Sequence, residues 1–189
     1  MAAHRNVLQF KIQLRDVESA IWRRIVVPAE YTFWDLHVAI QDAMGWLNCH
    51  LHLFRLDNPG DEPTLVGLPD PDPEPGDPIY HPDWRFPIAP YFAEPGDAAV
   101  YEYDFCEGWE HDVILEEVIP RVRGTRYPRC LEGERSCPPE DSGGPHGYPE
   151  FLRRARRAFS PGFDPSEFHR LSIKFDNPRR RWKRAFEDG

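Results

Sequence analysis

Long apolar runs are absent from the 189-residue sequence. No stretch approaches eighteen apolar residues, and the first fifteen residues do not combine an apolar core with a small-residue cleavage site. We therefore expect a cytoplasmic protein without a membrane partner. Cysteines are few, and in a reducing compartment we expect them to stay unpaired, with burial or metal binding as their role. The four are Cys49, Cys106, Cys130 and Cys137.

Several catalytic signatures are also missing. There is no Gly-Lys-Ser/Thr sequence, which excludes a P-loop nucleotide site, and no serine or cysteine lies in a nucleophile-elbow or triad context. The 21 prolines exclude a mostly helical chain, whereas the 13% aromatic content supplies material for a core. A domain of this length can fold without disulfide or metal staples.

Charge is distributed unevenly around a net value of −9. Residues 1–120 carry 7 Lys and Arg against 22 Asp and Glu, whereas residues 121–189 carry 16 against 10. The net negative charge argues against general nucleic-acid binding. Two interpretations remain open: the acidic and basic parts attract each other in the fold, or the basic part forms a binding face.

Hydrophobic periodicity outlines the secondary structure. Alternating apolar residues predict strands, and apolar residues at helical spacing predict helices. Thr32 and Asp35 form a capping signal before one helical segment, which ends at Gly45. The predicted elements are strands over 8–14, 21–27 and 50–56, a hairpin over 99–119 turning at 106–108, a helix after Thr32, a helix beginning at Pro149 and reaching Phe159, and a last helix after Asn177.

A proline-rich acidic stretch over 57–95 interrupts this pattern. It contains LPDPDPEPGDP and too few periodic apolar residues for a long element, so we expect an extended surface loop. The pattern before it resumes after it, which argues against a domain linker. We predict a single α+β domain over 1–189, with a largely antiparallel sheet, helices packed against it, the long loop and a basic C-terminal segment over 178–189.

Several short motifs carry a family resemblance. They are IWRR (21–24), AMGW (43–46), HLHLF (50–54), YDFCEGWEH (103–111) and CLEGERSCPPEDSGGPHGY (130–148). In this order and spacing they resemble the plasmid pRiA4b ORF-3-like family over roughly residues 7–157. The resemblance implies an α+β domain in an uncharacterised bacterial family, some of whose members are labelled resolvase-like passenger proteins of mobile elements. The resemblance does not identify any catalytic residues. Cys106 stands where relatives often have glycine, and Ser142 where many have cysteine.

Asp104 and His111 lie on opposite arms of the predicted hairpin at nearly paired positions. The favoured interpretation is a structural Asp–His pair that pins the turn beneath Trp109. The alternative is an acid–base pair that activates a water. Glu140 and Asp141 form a second polar candidate, either as a working carboxylate pair or, as we favour, as acids that cap the loop and the following helix.

A metal site is the main cofactor hypothesis. Cys130 and Cys137 are spaced more loosely than the usual pair of zinc ligands. A complete site would need further ligands from among His50, His52, His111, Cys106 and His146. We favour a rigid connector over 130–144 without zinc, and we expect no cofactor, with zinc as the alternative.

The basic segments supply candidate nucleic-acid contacts, with Trp182 as the one stacking residue. We favour a non-enzymatic binding or accessory module, whose partner would be another protein or a nucleic acid. The alternatives are a DNA-associated accessory protein of a mobile element and a metal-dependent or acid–base hydrolase centred on His111. The candidate nucleic-acid contacts are Arg153, Arg154, Arg156, Arg157, Arg179, Arg180, Arg181, Trp182, Lys183 and Arg184.

Overall fold

The computed structural model of the protein shows an eight-stranded sheet with helices packed against it. It describes residues 6–58, 60–157 and 163–187. This architecture confirms the predicted single α+β domain. The strands are β1 (Asn6–Leu14), β2 (Trp22–Pro28), β3 (His52–Leu56), β4 (Thr64–Gly67), β5 (Tyr80–Pro82), β6 (Ala98–Tyr103), β7 (Trp109–Pro120) and β8 (Arg129–Glu134). The described helices are α1 (Phe33–Met44), α2 (Gly144–Arg157), α3 (Pro178–Phe186) and a short 3-10 helix at Arg170–Ser172.

The strand order across the sheet is β5-β4-β3-β6-β7-β1-β2-β8. Neighbouring strands run antiparallel, apart from the parallel pair β4 and β5. The predicted hairpin forms the centre of the sheet as β6 and β7, and β7 pairs on its other side with β1. The expectation of a largely antiparallel sheet is therefore confirmed.

The two faces of the sheet differ in polarity, as the alternating sequence of β1 predicts. The core face carries the fully buried Phe10 and Ile12, while Lys11 between them is only half-buried. On the polar face the Arg24 guanidinium donates to both carboxylate oxygens of Glu116, at 2.5 and 2.8 Å. The Arg24–Glu116 pair is partly exposed, and ion pairs in contact with solvent contribute little stability individually, so burial on the core face holds the sheet together.

Helix α1 begins and ends as its sequence predicts. The Asp35 backbone N–H donates to Thr32 Oγ1 and the Thr32 N–H donates back to Asp35 Oδ2, which completes a capping box. At the other end Gly45 adopts φ 88°, the left-handed conformation that glycine reaches without steric cost. Leu36 and Ile40 of this helix are fully buried against the sheet.

The expectation of one long surface loop over 57–95 needs correction. Strands β4 and β5 lie inside it and extend the sheet, and Ile88 and Phe92 are buried in the core. Within it, residues 70–79 form the longest fully exposed stretch among the described residues. The two strands are four and three residues long, too short to show a hydrophobic period. The pairing of β4 with β3, and of β5 with β4, is a tertiary effect.

Helix α2 starts earlier than predicted. It begins at Gly144, and Pro149 lies inside it and not at its first position. Gly143 and Gly144 have φ values of 92° and 67°, and these left-handed conformations turn the chain directly into the helix. Phe159, predicted on the apolar stripe of this helix, lies outside the described residues.

Helix α3 docks on α1 through aromatic side chains. The Trp182 ring lies 5.1 Å from that of Trp34 and 5.0 Å from that of Trp84, and the Arg181 guanidinium pairs with Asp42 at 2.5 Å. The segment is therefore attached to the domain by its inner face. No described helix is both long and apolar enough to cross a membrane.

Candidate functional site

Three segments that are far apart in sequence meet at one end of the sheet. They are the loop 45–51 after α1, the β6–β7 turn at 104–108 and the loop 135–143 before α2. Trp46 Nε1 donates to the Pro138 carbonyl at 2.8 Å, which joins the first segment to the third. The Gly143 N–H donates to Glu107 Oε1 at 2.7 Å, which joins the third to the second.

The β6–β7 turn is built around Asp104. This residue has φ 56°, and its carbonyl accepts the N–H groups of Glu107 and Gly108 at 3.0 and 2.6 Å. Its side-chain Oδ1 accepts the Cys106 N–H at 3.1 Å. An aspartate that bonds its own turn tolerates the left-handed conformation, so the local chemistry explains the backbone.

Close backbone approach locks the loop before α2 against this turn. A Cβ added to Gly144 would lie 2.2 Å from the carbonyl oxygen of Glu107, where any side chain would collide. Only glycine fits this position. The contact fixes Glu140 and Asp141, four and three residues earlier, beside the turn.

These contacts gather an imidazole and three carboxylates. His50 Nε2 lies 3.5 Å from Asp104 Oδ2, 3.6 Å from Asp141 Oδ1 and 3.9 Å from Glu140 Oε2. The Asp104 side chain is 5% exposed and that of Asp141 is 82% exposed, so the cluster reaches from the interior to the surface. We call these four residues, His50, Asp104, Glu140 and Asp141, the His50 cluster.

The other oxygen of Glu140 is held by the protein. Glu140 Oε1 accepts the Leu47 N–H at 2.7 Å and the Tyr103 hydroxyl at 3.1 Å. The Tyr103 hydroxyl also lies 3.7 Å from Cys49 Sγ, and burial raises the pKa of this thiol. Cys49 is therefore a protonated neighbour of the cluster at neutral pH.

The cluster opens into a groove of about 570 Å³. His50 and Asp104 belong to its wall, and Leu51, Phe105 and Phe186 expose apolar surface along it. The full lining comprises Trp34, Asn48, Cys49, His50, Leu51, His52, Leu68, Asp104, Phe105, Cys106, Ala185 and Phe186.

The model of the plasmid pRiA4b ORF-3-like family matches residues 6–171. The chain belongs to this family. An uncharacterised protein of Sinorhizobium fredii, y4hQ, is 42% identical to the ORF-3-like protein over 148 residues, which are 77% of this chain and 71% of that one. The crystal structure of a protein of unknown function, MM3350 from Methanosarcina mazei Go1, matches with 34% identity and a TM-score of 0.79, and covers 90% of this chain and 99% of that one. The resemblance inferred from the motifs is thus confirmed, and α3 follows the matched region.

The structure of the ORF-3-like protein separates Asp104 from His111, which corrects the predicted cross-strand pair. His111 pairs with Tyr101 across the hairpin, whereas Asp104 lies in the turn. His111 is fully buried, with Nδ1 3.2 Å from the Tyr101 carbonyl oxygen, and burial lowers its pKa to about 4. Trp109 is also buried, and its indole donates to Glu107. Of the predicted polar site, only Asp104, Glu140 and Asp141 come together.

The predicted thiol ligands do not assemble a metal site among the described residues. Cys130 and Cys137 are buried near Arg23, and burial raises the pKa of both thiols, that of Cys137 to about 12. Groups of at least three metal-capable side chains within the described chain all include His50, joined either by Cys49 and Glu140 or by Asp104 and Asp141. Of the predicted ligands, His50 is therefore the one that the structure retains.

His52 belongs to a buried network beneath the groove. Its Nε2 lies 2.8 Å from Asp83 Oδ2, and its ring stacks on His37 at 3.5 Å. His37 Nδ1 lies 2.8 Å from the Tyr101 hydroxyl, and burial followed by repulsion from His52 lowers the pKa of His37 well below 6.5. The alternation over 50–56 predicts His50, His52 and Phe54 on one strand face, but the strand begins at His52, so His50 lies in the preceding loop. Asp83 comes from the proline-rich stretch and has no sequence signal.

The predicted nucleic-acid residues differ in their surroundings. Arg181 and Trp182 face the domain, as described above, which corrects their assignment as free contacts. Arg179, Arg180 and Lys183 are exposed on the outer face of α3. On α2, Glu150 pairs with Arg153 and Arg154. Of the others, Arg156 is exposed, Arg184 pairs with Asp176, and the Arg157 side chain lies outside the described part.

Proposed function

We propose that this ORF-3-like protein is a non-enzymatic binding module whose ligand occupies the groove beside the His50 cluster. The observation that carries the proposal is the convergence of two motif-bearing segments, the loop after α1 and the β6–β7 turn, on one wall of an open groove with exposed apolar side chains. Leu51 is 54% exposed, Phe105 45% and Phe186 46%. Apolar side chains grouped around a concavity with a few polar groups are typical of ligand sites.

The lining suggests the ligand's chemistry. Leu51, Phe105 and Phe186 supply apolar walls, whereas His50 and Asp104 supply polar atoms at one end. A ligand with an apolar body and one polar head would match both parts. The apolar walls would supply affinity through burial, and the polar end would fix orientation.

The raised pKa of the Cys49 thiol and the burial of His111 favour binding over catalysis. The Cys49 thiol has a raised pKa, and the nucleophile in cysteine chemistry is the thiolate. His111 is fully buried and is not part of the groove lining, so it offers no support for a hydrolase centred on it.

A fragment screen observed by NMR of the ¹⁵N-labelled chain tests the proposal. We expect weakly bound fragments to shift the Trp34 indole signal and the amides of 49–52 and 105–106. Leu51→Asn should weaken the best fragment about tenfold, since it removes apolar surface without touching the core. Leu171→Asn is the matched control, because Leu171 is 88% exposed outside the groove. Equal affinity in the two variants, or fragment signals confined to another surface, would refute the groove.

A second candidate is a DNA-associated accessory protein of a bacterial mobile element. Its support is the exposed cationic face of α3, formed by Arg179, Arg180 and Lys183. Fluorescence anisotropy with a labelled duplex tests it: affinity should fall steeply with salt, and the triple alanine variant should lower the salt slope by about three. An unchanged slope would exclude this face.

A further inference from the structure

We propose that the His50 cluster binds one divalent transition-metal ion, through His50 Nε2, Asp104 Oδ2 and Asp141 Oδ1. The ligand atoms of these three residues lie within 4.8 Å of one another, whereas Glu140 belongs to a separate group with His50 and Cys49. The proposal rests on the proposed function, because the ion would form the polar end of the same groove. It replaces the thiol-based site considered from the sequence with a site of one nitrogen and two oxygens.

The spacing of the three atoms fits a shared ion better than hydrogen bonds. Charge-assisted N–H···O bonds are about 2.7–2.9 Å long. His50 Nε2 instead stands 3.5 Å from Asp104 Oδ2 and 3.6 Å from Asp141 Oδ1. Two ligands of a tetrahedral ion with bonds of 2.0–2.1 Å lie about 3.4 Å apart.

The Asp104 carboxylate is already oriented for a ligand. Its Oδ1 accepts the Cys106 N–H at 3.1 Å, and its second oxygen, Oδ2, is the one that faces His50. Donors that hold the non-ligating oxygen, and so orient the ligating one, commonly surround metal sites.

One atom at the centre lacks the partner that burial demands. His50 Nε2 is inaccessible to solvent and has no hydrogen-bond partner among the described residues. The Asp104 side chain is 5% exposed, and its Oδ2 lies 3.5 Å from that nitrogen. Buried polar atoms are normally satisfied, and the carboxylates of Asp104 and Asp141 beside one point repel each other without a cation. A bound ion would give the nitrogen a partner and offset the repulsion.

The ligand set selects the kind of ion. Imidazole suits zinc and iron, carboxylates suit manganese and magnesium, and a mixed site follows the Irving–Williams order. We therefore expect Zn²⁺ to bind more tightly than Mn²⁺. Cys49 Sγ lies within 4.8 Å of its partners in a group with His50 and Glu140, but it is held at the Tyr103 hydroxyl, and we expect no contribution from it.

Calorimetric titration of the chelator-treated full chain with ZnCl₂ and MnCl₂ tests the site. We expect one Zn²⁺ per chain and weaker binding of Mn²⁺. His50→Gln and Asp141→Asn should each weaken Zn²⁺ binding about tenfold or more. Cys49→Ser and Cys130→Ser should leave it unchanged.

Matched controls come from similar groups elsewhere. His169→Gln removes an exposed histidine whose Nε2 lies 3.6 Å from a Glu167 oxygen, and Asp70→Asn removes an exposed aspartate. Both should retain the full affinity. If His50→Gln fails to fold, judged by its melting curve, Asp141→Asn decides alone, because its side chain is 82% exposed and supports no packing.

The outcomes separate this proposal from the groove on which it rests. No saturable binding of either ion, or binding that survives both His50→Gln and Asp141→Asn, overturns the metal site. The fragment screen is then repeated on chelator-treated and Zn²⁺-loaded protein. Fragment binding without any metal effect would keep the groove and discard the ion, whereas Zn²⁺ binding without fragment binding would keep the ion and discard the groove.

Discussion

Acid should destabilise this protein through His111 by an amount that the structure allows us to calculate. The imidazole is fully buried, with Trp46 packed edge-on against it at 5.1 Å, and its Nδ1 lies 3.2 Å from the Tyr101 carbonyl oxygen. Burial lowers its pKa from 6.5 to about 4. The folded state therefore holds a neutral ring under conditions where the unfolded chain would already bind a proton.

The sign and size follow from proton linkage. A histidine whose folded pKa is lowered keeps its full contribution above the unfolded value of 6.5 and loses it as pH falls from there towards 4. One pKa unit corresponds to about 1.4 kcal/mol, so the loss between pH 7.5 and pH 5 should be about 2 kcal/mol, and about 3 kcal/mol by pH 4.

Urea denaturation at pH 7.5 and pH 5 measures this loss. His111→Asn retains a donor for the Tyr101 carbonyl but cannot take up a proton, so its stability should fall less over the same interval, by about 2 kcal/mol. Carboxylates and the buried His37 titrate in both proteins and cancel in the difference. Equal pH dependence in wild type and variant would refute the reasoning, whatever the variant's absolute stability.

Three further changes probe other parts of the fold. Trp182→Ala should lower the free energy of unfolding by about 2–3 kcal/mol through lost aromatic packing, measured by urea denaturation, whereas the exposed Arg180→Ala should change it by less than about 0.5 kcal/mol. Gly144→Ala should cost about 1–3 kcal/mol more than Gly124→Ala, because both have positive φ but only the first places a Cβ against backbone. A protease that cuts before aspartate should cleave first within 70–79, and mass spectrometry showing initial cuts in the β6–β7 hairpin would contradict that.

Local sequence signals predicted the elements that local interactions determine. The capping box of Thr32 and Asp35 and the glycine at 45 mark α1 because each acts within one helical turn. The central hairpin is equally visible, since alternation and turn residues lie within one short stretch. Strands β4 and β5 were missed because they depend on pairing with a distant edge, and a three-residue strand has no period to detect.

The candidate site was predicted only in part, for a related reason. The sequence identifies Asp104, Glu140 and Asp141 as polar candidates, but counting along an idealised hairpin pairs Asp104 with His111. The turn extends from Asp104 to Gly108, and the register therefore places His111 opposite Tyr101. The true neighbour, His50, lies 54 residues before Asp104 and follows α1 by only a few residues, so no spacing rule could connect them. One sequence signal does link them. The motifs HLHLF, YDF and PPED carry His50, Asp104, and Glu140 with Asp141, and they occur together among the motifs of the family.

The basic residues of α3 have different surroundings on the two faces of this helix, and this bears on the two interpretations of the uneven charge distribution. On the inner face, Arg181 pairs with Asp42 of α1 and Trp182 packs between two tryptophans of the acidic part, which supports attraction between the two parts. On the outer face, Arg179, Arg180 and Lys183 remain exposed. The inner contacts remove Trp182 from any nucleic-acid surface on this helix. Contacts by the remaining cations would then be mainly to phosphates, so any DNA binding through α3 should depend little on base sequence and be highly sensitive to salt.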